Sequence, residues 1–428
     1  MCIHIETYGC STNIADSETI AGCLTEAGFK LTRSVSAADI IIYNTCAVKG
    51  PTENRIINKI KHTPKNKKII VAGCLPLINF KRLQRETCFN AAAGPAAAPQ
   101  IADIVKRVIN GENVIALENA LNAKPPLNLP HQKANPDISI IPINYGCLGT
   151  CAYCCVIFAR GNLRSYSPTE IAERVRSDLA VGIKEFWLTS QDTACYGKDI
   201  GTNLATLLNT LTSFEGDFKI RVGMMTQNNT TPFLNDLIEA FKNEKIFKFV
   251  HLPVQSGDNE VLKRMQRFYT ARDFKATVKA FRTAFPQLTL ATDVICGFPG
   301  ETCSAFKNTL KLIEEVKPDI VNVSKFFARP HTPAAEMNEA FVNPAEIKQR
   351  STATAQLAKQ IALERNQRWM GWTGKVLVNE KGKTCNSWIS RNFAYKPIVI
   401  KTSANLLGKT VNVQITMAFP TYLAGTIC

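Results

Sequence analysis

Cys147, Cys151 and Cys154 crowd into one short stretch, Asn144-Tyr145-Gly146-Cys147-Leu148-Gly149-Thr150-Cys151-Ala152-Tyr153-Cys154. Cysteine thiolates are the usual ligands of iron in iron–sulfur clusters, and a C-x3-C-x2-C loop can hold three corners of a cubane [4Fe–4S] cluster. The fourth iron then stays open to a substrate. A structural zinc site asks for four ligands, usually in paired short spacings. Thiols packed together without metal are the bland alternative. Clustered thiols in a reducing compartment more often bind metal or do redox chemistry. Cys155 follows the set at once, and its side chain is expected to point away from that of Cys154, so it is left out of the ligands.

A second set of cysteines is spread along residues 1–118. Ile3–Thr7, Asp39–Asn44 and Lys68–Ala72 read as strands, with helical stretches such as Ser17–Ala27 and Glu53–Lys61 between them. This alternation predicts a parallel sheet with right-handed crossovers. A cysteine follows each strand: Tyr8-Gly9-Cys10, Asn44-Thr45-Cys46 and Ala72-Gly73-Cys74. The carboxyl ends of strands in an open parallel sheet share one crevice, where ligands bind, so these cysteines are expected to converge. Gly9 and Gly73 allow the close backbone approach a bulky group needs. Position alone leaves a second reading open, since free cysteine often serves as a small core hydrophobe. Cys2, Cys23 and Cys88 fit that second reading better.

The chain of 428 residues is too long for one ordinary core and predicts two or three domains. Lys plus Arg number 51 against 35 for Asp plus Glu, a net charge of +16. Such an excess suits a polyanionic partner, nucleic acid above all, although charge alone also fits a merely soluble basic protein. The N-terminus enters a strand pattern directly and no apolar run approaches a membrane span. The sequence reading is therefore cytoplasmic, with its 15 cysteines reduced and no membrane contact. Residues 88–99 are low in complexity and read as a loop. Residues 119–137, with Pro125, Pro126, Pro130 and Pro136, read as an interdomain linker.

Residues 138–368 form the expected second domain. Its strand candidates are Ile140–Tyr145, Glu185–Ser190, Phe218–Met224, Phe247–Leu252, Leu288–Ile295 and Asp319–Ser324. Ser167-Pro168-Thr169-Glu170 is a capping box with proline at the first helical position, Thr270-Ala271-Arg272-Asp273 resembles it, and Thr231-Pro232 has cap and proline. The cysteine loop follows the first of these strands. Loops after later strands offer Gln191 and Asp192, then His251 with Gln255 and Ser256, then Gly297 and Gly300 in Gly-Phe-Pro-Gly. Taken singly these are weak signals. A Gly-Pro turn is usually only a turn.

Asn343-Pro344-Ala345-Glu346 caps a helix reaching about Arg368, whose Lys348, Arg350, Lys359, Arg365 and Arg368 read as a solvated face. Residues 369–428 form a third unit. Val376–Asn379, Ile398–Thr402 and Val411–Thr416 have strand patterning, suggesting a small antiparallel barrel of OB-like type. Lys375, Lys381, Lys383, Arg391, Lys396, Lys401 and Lys409 face a single anion, Glu380. Such charges can neutralise phosphates without reading sequence, or can simply be a solubilising surface.

Specific resemblances add to this reading. Tyr153 completes C-x3-C-x-aromatic-C, which resembles the cluster loop of the radical S-adenosylmethionine (SAM) enzymes. Tyr8-Gly9-Cys10-Ser11-Thr12-Asn13 with Asp16-Ser17-Glu18, Asn44-Thr45-Cys46 and Ala72-Gly73-Cys74 resembles the N-terminal domain of the methylthiotransferases. The resemblance implies an α/β protein: an N-terminal parallel α/β domain, a central (β/α)6 partial barrel and a C-terminal TRAM-type barrel. It implies two [4Fe–4S] clusters, on Cys147, Cys151 and Cys154 and on Cys10, Cys46 and Cys74. SAM would be held by Gln191, Asp192, Gln255, Ser256, Gly297 and Gly300. No side chain is assigned as a catalytic acid or base, because the first cluster would generate a radical from SAM and the second would carry the sulfur.

Gly146-Cys147-Leu148-Gly149 and Ala159-Arg160-Gly161 most resemble the branch acting on threonylcarbamoyladenosine. That implies methylthio transfer to position 2 of this modified adenine beside the tRNA anticodon, a flavodoxin- or ferredoxin-type electron donor, and action as a monomer. Two features depart from the family pattern: proline is missing after the third barrel strand, at Gly223-Met224-Met225, and His331 stands where glycine is usual. The alternatives are a relative acting on isopentenyladenosine tRNA or on a ribosomal protein, and a non-enzymatic iron–sulfur or zinc protein that binds RNA.

Overall fold

The computed structural model describes residues 1–118 and 121–428. Six strands build the first sheet: β1 Cys2–Thr7, β2 Lys30–Leu31, β3 Ile40–Thr45, β4 Lys68–Gly73, β5 Ala91–Ala93 and β6 Val114–Ala116. Their order is β2-β1-β3-β4-β5-β6, and every pairing is parallel. Apolar runs such as Ile40–Tyr43 are buried on both faces, as expected for strands covered by crossover helices.

Two expectations need correction here. The first helix is Ser11–Glu26, starting directly after Cys10. Its cap makes no side-chain bond, and Asn13, Asp16, Ser17 and Glu18 are buried among apolar positions, which blurs the amphipathic period. Residues 88–99 are not all loop, because β5 lies buried inside the sheet. A strand of three alanines carries none of the β-branched signal that marks strands.

Asn119 and Ala120, the start of the expected linker, lie outside the described residues. The rest of it is pinned against both neighbouring domains. Gln132 N donates to Glu18 O (2.8 Å), Tyr166 Oη to Pro125 O (2.5 Å), and Lys133 pairs with Asp178 (2.7 Å).

The second sheet is built from β7 Ile138–Pro142, β10 Glu185–Thr189, β11 Lys219–Val222, β12 Phe249–His251, β13 Thr289–Cys296 and β14 Ile320–Lys325. Between β7 and β10 lies a small ladder of β8 Asn144–Tyr145 on β9 Arg164–Ser165. Strands β7, β10 and β11 pair in parallel, as do β12, β13 and β14. Parallel bridges Ile220↔Ile246 and Met224↔His251 join the halves. The result is an open six-stranded parallel barrel running in chain order. Both capping boxes form, at Ser167 and at Thr270. Thr231 makes no cap: the helical run begins earlier, at Gln227, and Thr231 Oγ1 donates back to Gln227 O (3.0 Å).

The helix Pro344–Gln367 is capped by Asn343, which accepts from Ala345 N (2.9 Å). Its charges are not all solvated. Arg350 is buried, pairing with Glu301 (2.6 Å) and with Glu346, and Arg365 is buried against Asp319 (3.1 Å). The last strands are β15 Thr373–Lys381, β16 Ser387–Arg391, β17 Pro397–Lys401, β18 Thr410–Ala418 and β19 Leu423–Ile427, closed in the order β15-β16-β17-β19-β18. All pairs are antiparallel except β17 with β19. Lys396 is also removed from the expected basic surface, since it is buried on Asp319 (2.9 Å). Tyr395 stacks its edge on Phe247 (4.8 Å), and Asn379 Nδ2 donates to Glu185 Oε2 (2.6 Å), so the small barrel is docked on the back of the larger one.

Candidate active site

β1, β3 and β4 are immediate neighbours, with Thr7 level with Asn44 and Thr45 level with Gly73. The residues that follow therefore leave the sheet at one place, which brings Cys10, Cys46 and Cys74 to a single rim. Polar side chains tie the strand ends together. Asn13 Nδ2 donates to Thr45 O (3.1 Å), Asn44 Nδ2 to Asn13 O (2.8 Å), and Thr45 Oγ1 to Ala72 O (2.6 Å). Gly9 and Gly73 have φ of +124° and +93°. A Cβ on Gly9 would lie 2.8 Å from the Cβ of Cys46, and one on Gly73 would lie 2.4 Å from Thr45 O. These glycines let the strand ends close on each other.

Cys10 is exposed, whereas Cys46 and Cys74 are buried. Burial pushes the Cys46 thiol up and the Cys74 thiol up to about 12, with the neighbouring cysteines adding to it and Arg160 opposing it.

The second triplet lies on the loop that follows β8. Cys147 N donates to Gly161 O (3.2 Å), Ala152 N to Met265 O (3.0 Å), and Ala334 N to Ala152 O (2.8 Å). Two donors point at its sulfurs: Gly149 N at Cys147 Sγ and Arg267 Nη1 at Cys151 Sγ, both at 3.1 Å. Arg267 is buried and also donates to Tyr269 Oη (3.0 Å). The Cys195 thiol beside Cys147 lowers the pKa of Cys147, while burial pushes Cys154 well up. Cys195 Sγ also lies 3.0 Å from Asp192 O.

Sequence reasoning missed both Arg267 and Cys195. Arg267 follows Val261-Leu262-Lys263-Arg264-Met265 and has no local signal of its own. The donor set suits an iron–sulfur cluster: it offers thiols only, with N–H groups directed at two of the sulfurs.

A cavity of about 370 Å³ opens between the barrel mouth and the loop after β3. Its lining includes Lys49, Cys154, His251, Gln255, Asp293 and Arg329. His251 Nε2 lies 3.0 Å from Asp293 Oδ1, which also accepts from Asn322 Nδ2 (2.7 Å). Burial raises the Asp293 carboxyl, but His251, Asn322 and Lys49 outweigh it and hold the group below the usual range.

The six residues expected to hold SAM separate into two groups. Gln191 and Gln255 each keep a buried side-chain oxygen with no partner among the described residues. The other four are engaged within the fold. Asp192 accepts from Ala194 N (3.0 Å), Thr226 N (2.9 Å) and Asn229 Nδ2 (2.7 Å). Ser256 Oγ meets Thr309 Oγ1 (3.3 Å) and accepts from Asp258 N (3.2 Å). A Cβ on Gly297 would strike Ile347 (2.3 Å), and one on Gly300 would strike Arg264 (1.9 Å). His331 has φ +66°, a conformation that glycine adopts freely, and its ring packs on Phe158 (5.9 Å).

An open six-stranded parallel barrel with a three-cysteine loop at its mouth defines a radical SAM protein. The Radical SAM superfamily model matches residues 141–313, and the model described as "Uncharacterized protein family UPF0004" matches residues 2–93. A solved radical S-adenosylmethionine methyltransferase from Kitasatospora setae, with cobalamin and a [4Fe–4S] cluster bound, shares the fold at TM-score 0.55 and 12% identity, over 78% of this chain and 76% of that one. A Pyrococcus horikoshii protein named "Probable threonylcarbamoyladenosine tRNA methylthiotransferase" is 41% identical, covering 99% of both chains. The human threonylcarbamoyladenosine tRNA methylthiotransferase is 36% identical, over 96% of this chain and 72% of its own length. The chain belongs to the threonylcarbamoyladenosine tRNA methylthiotransferase family. Among its described residues no helix is long and apolar enough to cross a membrane.

Proposed function

We propose that this protein transfers a methylthio group to position 2 of the adenine of N6-threonylcarbamoyladenosine, beside the anticodon of tRNA. One observation carries the reading: the stretch that follows the second cysteine triplet packs against the stretch that follows Cys46, on a different domain. Cys155, directly after the second triplet, points its thiol at Ala47 O (3.4 Å), directly after Cys46, and Cys46, Cys74, Cys155 and Ala159 share one buried cluster.

Bound [4Fe–4S] clusters and SAM supply the radical and redox chemistry. The chain's own residues bind, orient and exclude water. Cys147, Cys151 and Cys154 hold one cluster, with Gly149 N and Arg267 steadying two of the sulfurs. Cys10, Cys46 and Cys74 hold the other. The free oxygens of Gln191 and Gln255 suit the amino and ribose donors of SAM, and the cavity beside Cys154 suits the target nucleoside. Lys49 gives that cavity a positive group for the carboxylate of the threonylcarbamoyl substituent. The units 1–118, 138–368 and 369–428 then serve as sulfur-carrying domain, radical domain and tRNA-holding barrel. The electron comes from a flavodoxin- or ferredoxin-type protein, and the enzyme works as a cytoplasmic monomer.

Complementary variants test the division of labour. Cys151→Ala is expected to lose 5′-deoxyadenosine formation on reduction. Cys46→Ala is expected to keep it yet add no sulfur to tRNA. SAM cleavage by the first variant, or methylthio product from the second, contradicts the reading.

A further inference from the structure

Arg160 closes the short helix Ile157–Arg160 and is 2% exposed. Its two terminal nitrogens differ in their surroundings. Nη2 donates to Asp16 Oδ2 at 2.5 Å, and Asp16 also accepts from Tyr145 Oη, whose ring lies 5.1 Å from the guanidinium carbon. Asp16 stands on the helix that begins directly after Cys10, so this contact spans the two domains. Nη1 is buried with no partner among the described residues. A buried donor left without an acceptor is costly, and charged groups are seldom buried unless paired.

The helix Leu75–Ile78, which follows Cys74, packs on the helix of Arg160, and Ala159 packs with Cys46 and Cys74. The helix that ends in Arg160 therefore lies beside the N-terminal cysteine triplet. Burial pushes the Asp16 carboxyl up, against the pull of Arg160.

We propose that Arg160 is a positioning residue of the N-terminal cysteine triplet, its free Nη1 donating to an anionic sulfur held there while Asp16 and Tyr145 fix the guanidinium. This rests on the reading that Cys10, Cys46 and Cys74 hold a sulfur-carrying cluster. The sulfur is of the sulfide or alkylthiolate class, an acceptor that the polypeptide around Nη1 does not supply. Arg160 also raises the potential of the cluster, because a fixed cation favours its more negative reduced state. Asp16 moderates that effect.

The test uses the full chain with Cys147, Cys151 and Cys154 replaced by Ala, so that only the N-terminal cluster assembles. The readouts are an EPR-monitored redox titration and a spectroscopic titration with sodium sulfide. Arg160→Gln is expected to move the midpoint potential negative and to weaken sulfide binding about tenfold or more, as loss of one charge-assisted hydrogen bond predicts. Asp16→Asn is expected to move the potential positive. Arg160→Lys, which keeps the charge without the fork, is expected to stay near the parent potential while binding sulfide more weakly.

Opposite shifts in Arg160→Gln and Asp16→Asn support the proposal, since a merely structural pair would move both potentials alike. Equal or absent shifts at unchanged iron content overturn it. If Arg160→Gln does not fold, Asp16→Asn and Arg160→Lys decide: no positive shift in the first, with unchanged sulfide binding in the second, overturns it. A parent protein that binds no iron refutes the cluster reading itself, and the proposal falls with it. That failure is visible before any Arg160 variant is compared.

Discussion

Arg267 sets its Nη1 3.1 Å from the sulfur of Cys151, although the two residues are 116 positions apart. The guanidinium is buried, and Tyr269 and the Pro253 carbonyl hold its other edge (3.0 and 3.4 Å). Hydrogen bonds to a charged group contribute about 1.5–3 kcal/mol. Arg267→Met is therefore expected to slow reductive SAM cleavage by about tenfold to a hundredfold. Quantifying 5′-deoxyadenosine after reduction checks this, with iron content measured alongside to separate slower cleavage from cluster loss.

Glu53 is fully buried and joins the first domain to the barrel. It accepts from Arg82 Nη1 and Asn79 Nδ2, both at 2.8 Å, and from Arg329 at the cavity wall. Glu53→Ala leaves Arg329 as an uncompensated buried charge, at a cost of about 3–5 kcal/mol. Calorimetry is expected to show a clearly lowered first unfolding transition, with Glu53→Gln in between. An unchanged transition in Glu53→Ala would remove the ion pair from the account of the interface.

Glu18 gives a pH signature. Burial raises its carboxyl to about 7, partly offset by the Ala134 N–H (2.9 Å), Arg174 and Lys133. The folded pKa lies above the unfolded one, so the folded state holds the proton more tightly. The associated stability is full below about pH 4.3 and is lost as pH rises through about 7, up to roughly 3 kcal/mol. Glu18→Gln keeps an acceptor for Ala134 N without this loss. Its melting temperature is expected to exceed that of the parent chain more at pH 8 than at pH 5. An equal difference at both pH values contradicts the burial argument.

The small barrel is too firmly docked to be deleted cleanly, because Lys396 and Asn379 neutralise or bond buried Asp319 and Glu185. Its exposed lysines, Lys375, Lys381, Lys383, Lys401 and Lys409, can be changed without disturbing that docking. Replacing all five by Ala is expected to weaken tRNA binding. It should also flatten the salt dependence, by at most about 0.7–0.9 in log–log slope for each phosphate no longer neutralised. Unchanged affinity and slope would show that these lysines are only a solvated surface.

Much of this architecture is legible in the sequence because it is local. Strands such as Ile40–Thr45 and Lys68–Gly73 carry apolar runs, and the cysteines follow them at fixed offsets. What stays hidden depends on pairing between distant residues. β5 is buried but made of alanine, so only its neighbours β4 and β6 mark it as a strand. Arg350, Arg365 and Lys396 look like surface charges until Glu301 and Asp319 are seen beneath them. Arg160 stands in the family-like stretch Ala159-Arg160-Gly161, but its burial on Asp16 is hidden because that partner lies in another domain.

Methylthio transfer to threonylcarbamoyladenosine can be followed by mass spectrometry of tRNA nucleosides after anaerobic incubation of reconstituted protein with SAM, sulfide, a reductant, and tRNA bearing either threonylcarbamoyl- or isopentenyladenosine. A 2-methylthio product is expected on the threonylcarbamoyl nucleoside and none on the other. Product confined to isopentenyladenosine, or SAM cleavage with no methylthio nucleoside from either tRNA, would contradict it.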